Sequence, residues 1–190
     1  MASTTQIVFS PLSYLKIKQP QKRWFDYILP ILLSIFFSFI IIYCDINYKN
    51  IELFSDKGII NIINNLTQIL SGFYLTSMAA IATFPNKDMD KVMDGIPPKI
   101  DNKDLTRREF LIRLFGYLCF VCILLYFIGG LSIYFFDFVI LSFTWTKIIK
   151  FSFCIFYFLI FFNMLLTTFM GLYFLIIKIN KEKTKLDIDD

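Results

Sequence analysis

The chain has 190 residues, 57% hydrophobic and 19% aromatic, more apolar than soluble domains run. A buried core absorbs a small excess, but not four separate apolar runs, each near or above the ~20 residues that cross hydrocarbon. The net charge is only +4, and no basic helix or RNA-type aromatic motif occurs, which argues against direct nucleic-acid binding.

The expected fold is an all-α membrane protein with four transmembrane helices. Residues 1–26 read as a cytoplasmic N-terminal segment. No small-x-small cleavage site closes the first apolar run, so that run is expected to stay as an anchor. The first span is placed at 27–44, with Pro30 in its first turn, where a missing N–H costs little. The second is placed at 58–84, with Ser55 and Asp56 as candidate N-caps and Pro85 as its terminator. The third is placed at 107–136, within a stretch that starts near Leu105. It is too long for an untilted crossing, so its first turns are expected to stand in the cytoplasm, and Gly129-Gly130 is a candidate bend. The fourth is placed at 151–177, followed by a tail over 178–190.

Orientation follows from where Lys and Arg collect. Fifteen of the 19 lie before the first span, between the second and third or in the first turns of the third, or after the fourth. The other four are Lys49, Lys57, Lys147 and Lys150. Both termini and the 85–106 loop are therefore expected in the cytoplasm, and Trp24 and Trp145 fall at opposite interfaces. The outer loops, 45–57 and 137–150, have 13 and 14 residues, too few to fold a domain. Asp45 and Asp137 close the outer ends of the first and third spans, where Lys49 or Lys147 are in reach as partners.

Lys outnumbers Arg 15 to 4, and Ile, Phe and Asn are abundant, a composition expected of an AT-rich bacterial genome. Cys44, Cys119, Cys122 and Cys154 lie within or at the end of apolar runs, so a disulfide framework is not expected. Cys119 and Cys122 form a CxxC with no His or acidic neighbour. They are read as small helix- or lipid-facing residues.

The second span carries the most informative pattern. At about 100° per residue, Asn65, Gln68, Gly72, Thr76, Ala79 and Thr83 fall within roughly 60° of Asn61. Ile59, Ile63, Leu66, Leu70, Phe73 and Ile81 stand opposite. Amides facing lipid would leave donors unpaired. The stripe must face protein, as a close helix–helix contact, or water, as the lining of a pore. The fourth span repeats the pattern with Asn163, Thr167 and Gly171, and the third aligns Arg113, Gly116, Phe127, Gly130 and Tyr134. So many polar seams exceed the needs of one four-helix bundle, and a homo-oligomer is expected.

Signatures of chemistry are absent from the sequence. It has no histidine, no GxSxG, HExxH, P-loop or GxGxxG, and no metal-loop spacing among Asp88, Asp90, Asp94, Asp101 and Asp104. The chain is read as a non-enzyme without cofactor. The 85–106 loop, with Lys87, Asp88, Lys91 and Asp94, reads as a docking surface or a solvated linker. Arg107, Arg108 and Glu109 are the densest charge group beside it. They read as a partner surface or as anchors on lipid phosphate.

The stretch from Ser71-Gly72-Phe73-Tyr74 to Ala79-Ala80-Ile81-Ala82-Thr83-Phe84 precedes Asp88-Met89-Asp90 and Met93-Asp94-Gly95. Leu105-Thr106-Arg107-Arg108-Glu109-Phe110 and Phe115-Gly116-Tyr117-Leu118 follow. Over these roughly 50 residues the chain resembles KwaA, the membrane-subunit family of the Kiwa anti-phage defence system. No motif in the resemblance is catalytic. It implies an inner-membrane component that responds to phage attack, a homo-oligomer (a tetramer), and a cytoplasmic DNA-binding effector, KwaB, as partner. Two other readings stand beside this sensor or scaffold: an ion-conducting pore, and a small transporter, the latter disfavoured by the lack of an internal repeat.

Overall fold

Thr106 and Glu109 set the start of the longest helix. Glu109 N–H donates to Thr106 Oγ1 and Thr106 N–H to Glu109 Oε2, each at 3.2 Å, a reciprocal capping box. The helix they open, Arg107–Phe138, is one of four that carry the apolar runs: α1 (Leu29–Tyr48), α2 (Ile59–Thr83), α3 (Arg107–Phe138) and α4 (Phe143–Tyr173). The computed structural model describes residues 9–19, 22–48, 53–55, 57–93, 97–138 and 143–178 and is mostly helical. Four of its helical segments are long and apolar enough to cross a membrane: Trp24–Ile41, Ile59–Thr83, Arg107–Phe136 and Ile148–Ile176.

The helices pack α1 on α4, α4 on α3, and α3 on α2. Consecutive helices α1 and α2 are thus joined mainly through the α3–α4 pair. α3 is the most enclosed, burying Phe110, Leu111, Leu114, Phe115, Leu118, Cys122 and Leu125. α1 buries the narrow row Pro30, Ser34, Ser38 and Ile41, spaced one turn apart, while Leu32, Phe36 and Phe39 are exposed. Small serines let α1 lie close to α4, and Phe37 reaches over to Phe162, ring centres 5.0 Å apart.

Short elements complete the end that holds the N-terminal segment and the 85–106 loop. A 3-10 helix, Ser10–Lys16, packs on α3. A π turn, Trp24–Ile28, leads into α1, and another, Phe174–Lys178, follows α4. A second 3-10 helix, Lys87–Asp90, is capped by Asn86 Oδ1, which accepts from Asp88 N–H at 2.9 Å. Strands β1 (Lys99–Ile100) and β2 (Lys103–Asp104) form a hairpin. Its turn places Asp101 at φ 49° and Asn102 at φ 66°, left-handed conformations that Asp and Asn tolerate and a two-residue hairpin requires. Lys18 pairs with Lys99 through two backbone hydrogen bonds of 2.9 and 3.3 Å, so the N-terminal segment joins the hairpin.

Several boundaries differ from the sequence expectation. The helix of the first span starts by Lys22, before position 27, and that of the fourth at Phe143, before 151. α2 begins at Gly58 with no side-chain cap from Ser55, whose carbonyl instead accepts from Gly58 N–H at 2.9 Å. α3 runs through Gly129-Gly130 without a break. Its glycine is used for proximity instead: a Cβ at Gly129 would collide with Asn64 and Tyr157. Asp56, Lys49, Gly95, Asp94 and the tail from 179 lie outside the described residues, as do the side chains of Asp45, Asp137, Trp145 and Lys147.

Candidate functional site

Asp26 collects four segments around one carboxylate. It sits in the π turn before α1, fully enclosed, and Lys22 one turn earlier brings Nζ to 3.6 Å from Oδ2. Asp26 Oδ1 accepts from Tyr14 OH at 3.3 Å and from Thr167 Oγ1 at 3.4 Å. The Asp26 backbone carbonyl accepts from Asn163 Nδ2 at 2.8 Å, and Asn163 Oδ1 accepts from Tyr117 OH at 2.6 Å. The Tyr14 ring stacks on Tyr117 at 4.9 Å.

Lys22 is held as tightly. Its ammonium donates to the carbonyls of Tyr14 and Ile17 and lies 4.0 Å from the Tyr14 ring centre. Burial pulls this ammonium below its ordinary pKa, while the Asp26 carboxylate opposes the shift. Burial, then Asp26, raise the Tyr14 phenol, so it keeps its proton and donates. The cluster therefore fastens the N-terminal segment to α1, α3 and α4. Thr167, Asn163 and Gly171 all face other elements of the chain, with a Cβ at Gly171 running into Leu114. By charge alone Lys22 belongs with the cations that precede the first span. The i,i+4 spacing of Lys22 and Asp26 at the edge of an apolar run was the available signal.

The α2 stripe has the opposite fate. The face of α2 that the chain buries is Ile60, Ile63, Asn64, Thr67, Tyr74 and Ile81. Tyr74 OH meets Thr168 Oγ1 at 2.6 Å, and Tyr157 OH donates to Asn64 Oδ1 at 3.1 Å. Asn65, Gln68, Gly72, Thr76, Ala79 and Thr83 are exposed, and Asn61 is half-buried. Thr76 and Thr83 satisfy their hydroxyls on the carbonyls of Gly72 and Ala79, at 3.1 and 2.9 Å. The Asn65 and Gln68 amides find no hydrogen-bond partner among the described residues. They line a cleft of about 330 Å³ with Asn61, Asn64, Tyr126 and Tyr134. A Cβ at Gly72 or Gly130 would meet nothing within 4 Å.

Within the charge group at the start of α3, Arg107 and Arg108 turn inward while Glu109 stays exposed, so the two arginines are not the open partner surface that the sequence suggests. Arg107 is buried. Arg108 spreads its guanidinium over the end of α2: Nη1 donates to the Ile81 carbonyl, and Nη2 to those of Phe84 and Asn86 at 3.0 and 3.3 Å. Its Nε donates to Asp90 Oδ1 at 2.7 Å. A helix end leaves carbonyls unpaired, and a planar fork of donors is suited to collecting them. Glu109 is occupied by the capping box. Lys87 and Lys91 remain exposed, and Lys91 pairs with Asp88 at 2.8 Å. The described residues of the loop, 85–93 and 97–106, thus form a platform tied to α2 and α3.

Among the described residues no group of His, Cys, Asp or Glu is arranged to hold a metal. Cys122 Sγ lies 3.2 Å from Met164 Sδ and Cys119 Sγ 3.7 Å from the Ser71 carbonyl, so each thiol packs against a different neighbour. No protein-family model, characterised protein or solved structure matches the chain.

Proposed function

We propose that this chain is a non-enzymatic, multi-pass component of the bacterial inner membrane, with both termini in the cytoplasm, that assembles with copies of itself and recruits a cytoplasmic effector. The observation that carries this reading is the pairing of two surfaces. One is the α2 stripe, whose Asn65 and Gln68 amides find no partner among the described residues. The other is the platform formed by residues 87–93 and 97–106, joined to the end of α2 by Arg108. Amides in hydrocarbon demand a hydrogen-bonding neighbour, and a second copy supplies one. A charged platform at the basic end of the bundle supplies a docking face.

The resemblance over residues 71–118 gives the reading its biology: a KwaA-like subunit, tetrameric, that senses phage attack at the membrane and regulates a DNA-binding effector resembling KwaB. Lys87, Asp88 and Lys91 are the contact residues of choice, because Arg107, Arg108 and Glu109 are used inside the chain. Co-purification of the full-length chain with the product of a neighbouring gene should be lost in the double variant Lys87→Glu, Lys91→Glu. Retained co-purification rules this surface out.

A second reading, ion conduction, is favoured by the same exposed amides and the cleft beside them. It predicts conductance in reconstituted bilayers that changes with Gln68→Leu, and silent bilayers at several voltages contradict it.

A further inference from the structure

A cleft of about 540 Å³ opens where the N-terminal segment meets the start of the first membrane helix, lined by Leu15, Ile17, Lys18, Gln19, Arg23 and Tyr27 together with Lys22. Its walls differ in chemistry. Two of the lining residues, Lys18 and Arg23, are exposed cations, and among the described residues no carboxylate pairs with either. Leu15 and Tyr27 add apolar bodies that are also open to the outside. At its floor Lys22 is committed to Asp26 and two carbonyls, so it adds positive potential without being free to move. Gln19 Oε1 is buried there and accepts no hydrogen bond. A buried acceptor left unmatched is uncommon and calls for a donor. Trp24, exposed beside Arg23, is a residue type that settles at the headgroup level of a bilayer.

We propose that this cleft binds an anionic glycerophosphate headgroup. Lys18 and Arg23 take the phosphate oxygens. Leu15 and Tyr27 border the start of the acyl chains. The charges select an anion, and the apolar wall selects a lipid over a free phosphate ester. The site is independent of the defence role and needs only that the first helix enters a membrane here.

The test uses full-length protein in non-ionic detergent. Native mass spectrometry would read retention of phosphatidylglycerol against phosphatidylcholine of the same acyl chains, with soluble glycerol 1-phosphate as competitor. The parent chain should prefer phosphatidylglycerol. The double variant Lys18→Gln, Arg23→Gln should lose roughly 30-fold in its retention, the worth of two basic residues beside an anion. The charge-matched control Lys87→Gln, Lys91→Gln should keep it. Retention that millimolar glycerol 1-phosphate does not displace marks the acyl chain as part of the ligand and supports the site; full displacement would overturn a lipid as its occupant. Equal retention of the two lipids by the parent chain, or equal losses in the two double variants, overturns it.

Discussion

Lys22 and Asp26 stand one helical turn apart at the mouth of the first membrane helix, both enclosed, with Nζ and Oδ2 3.6 Å apart. The pair fixes the N-terminal segment, since Lys22 also donates to Tyr14 and Ile17 and Asp26 accepts from Tyr14. A buried ion pair adds little net stability, but removing one member strands the other. Asp26→Asn should therefore destabilise the chain by about 3 kcal/mol, and joint replacement by Lys22→Met and Asp26→Leu should recover most of it. Thermal unfolding of the full-length protein in detergent reads both, and single variants as stable as the parent contradict the role.

Arg108 joins the end of α2 to the platform through a planar fork. Lysine keeps the charge and loses the fork, so Arg108→Lys should restore little of what Arg108→Ala removes, on the order of 2 kcal/mol. Hydrogen exchange at the amides of Phe84 and Met89, both bonded within this region, should quicken in either variant. Unchanged exchange in Arg108→Lys would show that charge alone holds the junction.

Asp90 gives the platform a pH dependence. The hydrogen bond from Arg108 holds its carboxyl below the ordinary value of 3.8. A depressed carboxyl adds stability that is fully present above 3.8 and is lost as pH falls through the lower folded value. Platform exchange should therefore accelerate below about pH 4 in the parent chain and show no such step in Asp90→Asn. The same step in both would assign the effect elsewhere.

Two glycines in membrane helices should behave oppositely. A methyl at Gly129 meets Asn64 and Tyr157, so Gly129→Ala should cost about 1–3 kcal/mol, as overpacking does. A methyl at Gly72 meets nothing within 4 Å among the described residues, so Gly72→Ala should leave the unfolding of the monomer unchanged. Unfolding in detergent distinguishes them, and equal losses would mean that Gly72 is packed within one chain.

The four helices were legible because hydrocarbon thickness demands long apolar runs, and those runs are unmistakable in the sequence. Pro85 marked the end of α2 for an equally local reason. What escaped was long-range. The polarity of Asn163 calls for a neighbouring helix, and Tyr117 of α3 meets it, but its second partner is a backbone carbonyl 137 residues earlier, which no local pattern names. Lys22 was read by its charge alone, as one cation of a cytoplasmic cluster, whereas its spacing to Asp26 governs its burial. Thr106 and Glu109 formed a readable capping box, yet the charges at 107–109 drew attention to a partner instead. The polarity of the α2 stripe was plain, but which of the chain's faces remained open depended on packing between α2 and α3.

That open face is the centre of the account, and cross-linking reaches it most directly. Gln68→Cys in the exposed stripe and Phe36→Cys on the exposed apolar face of α1 would be oxidised in native membranes beside the parent chain with its own four cysteines. Assembly through α2 predicts a disulfide-linked dimer for Gln68→Cys and none for Phe36→Cys or the parent. No dimer from Gln68→Cys, or the same yield from Phe36→Cys, would contradict it.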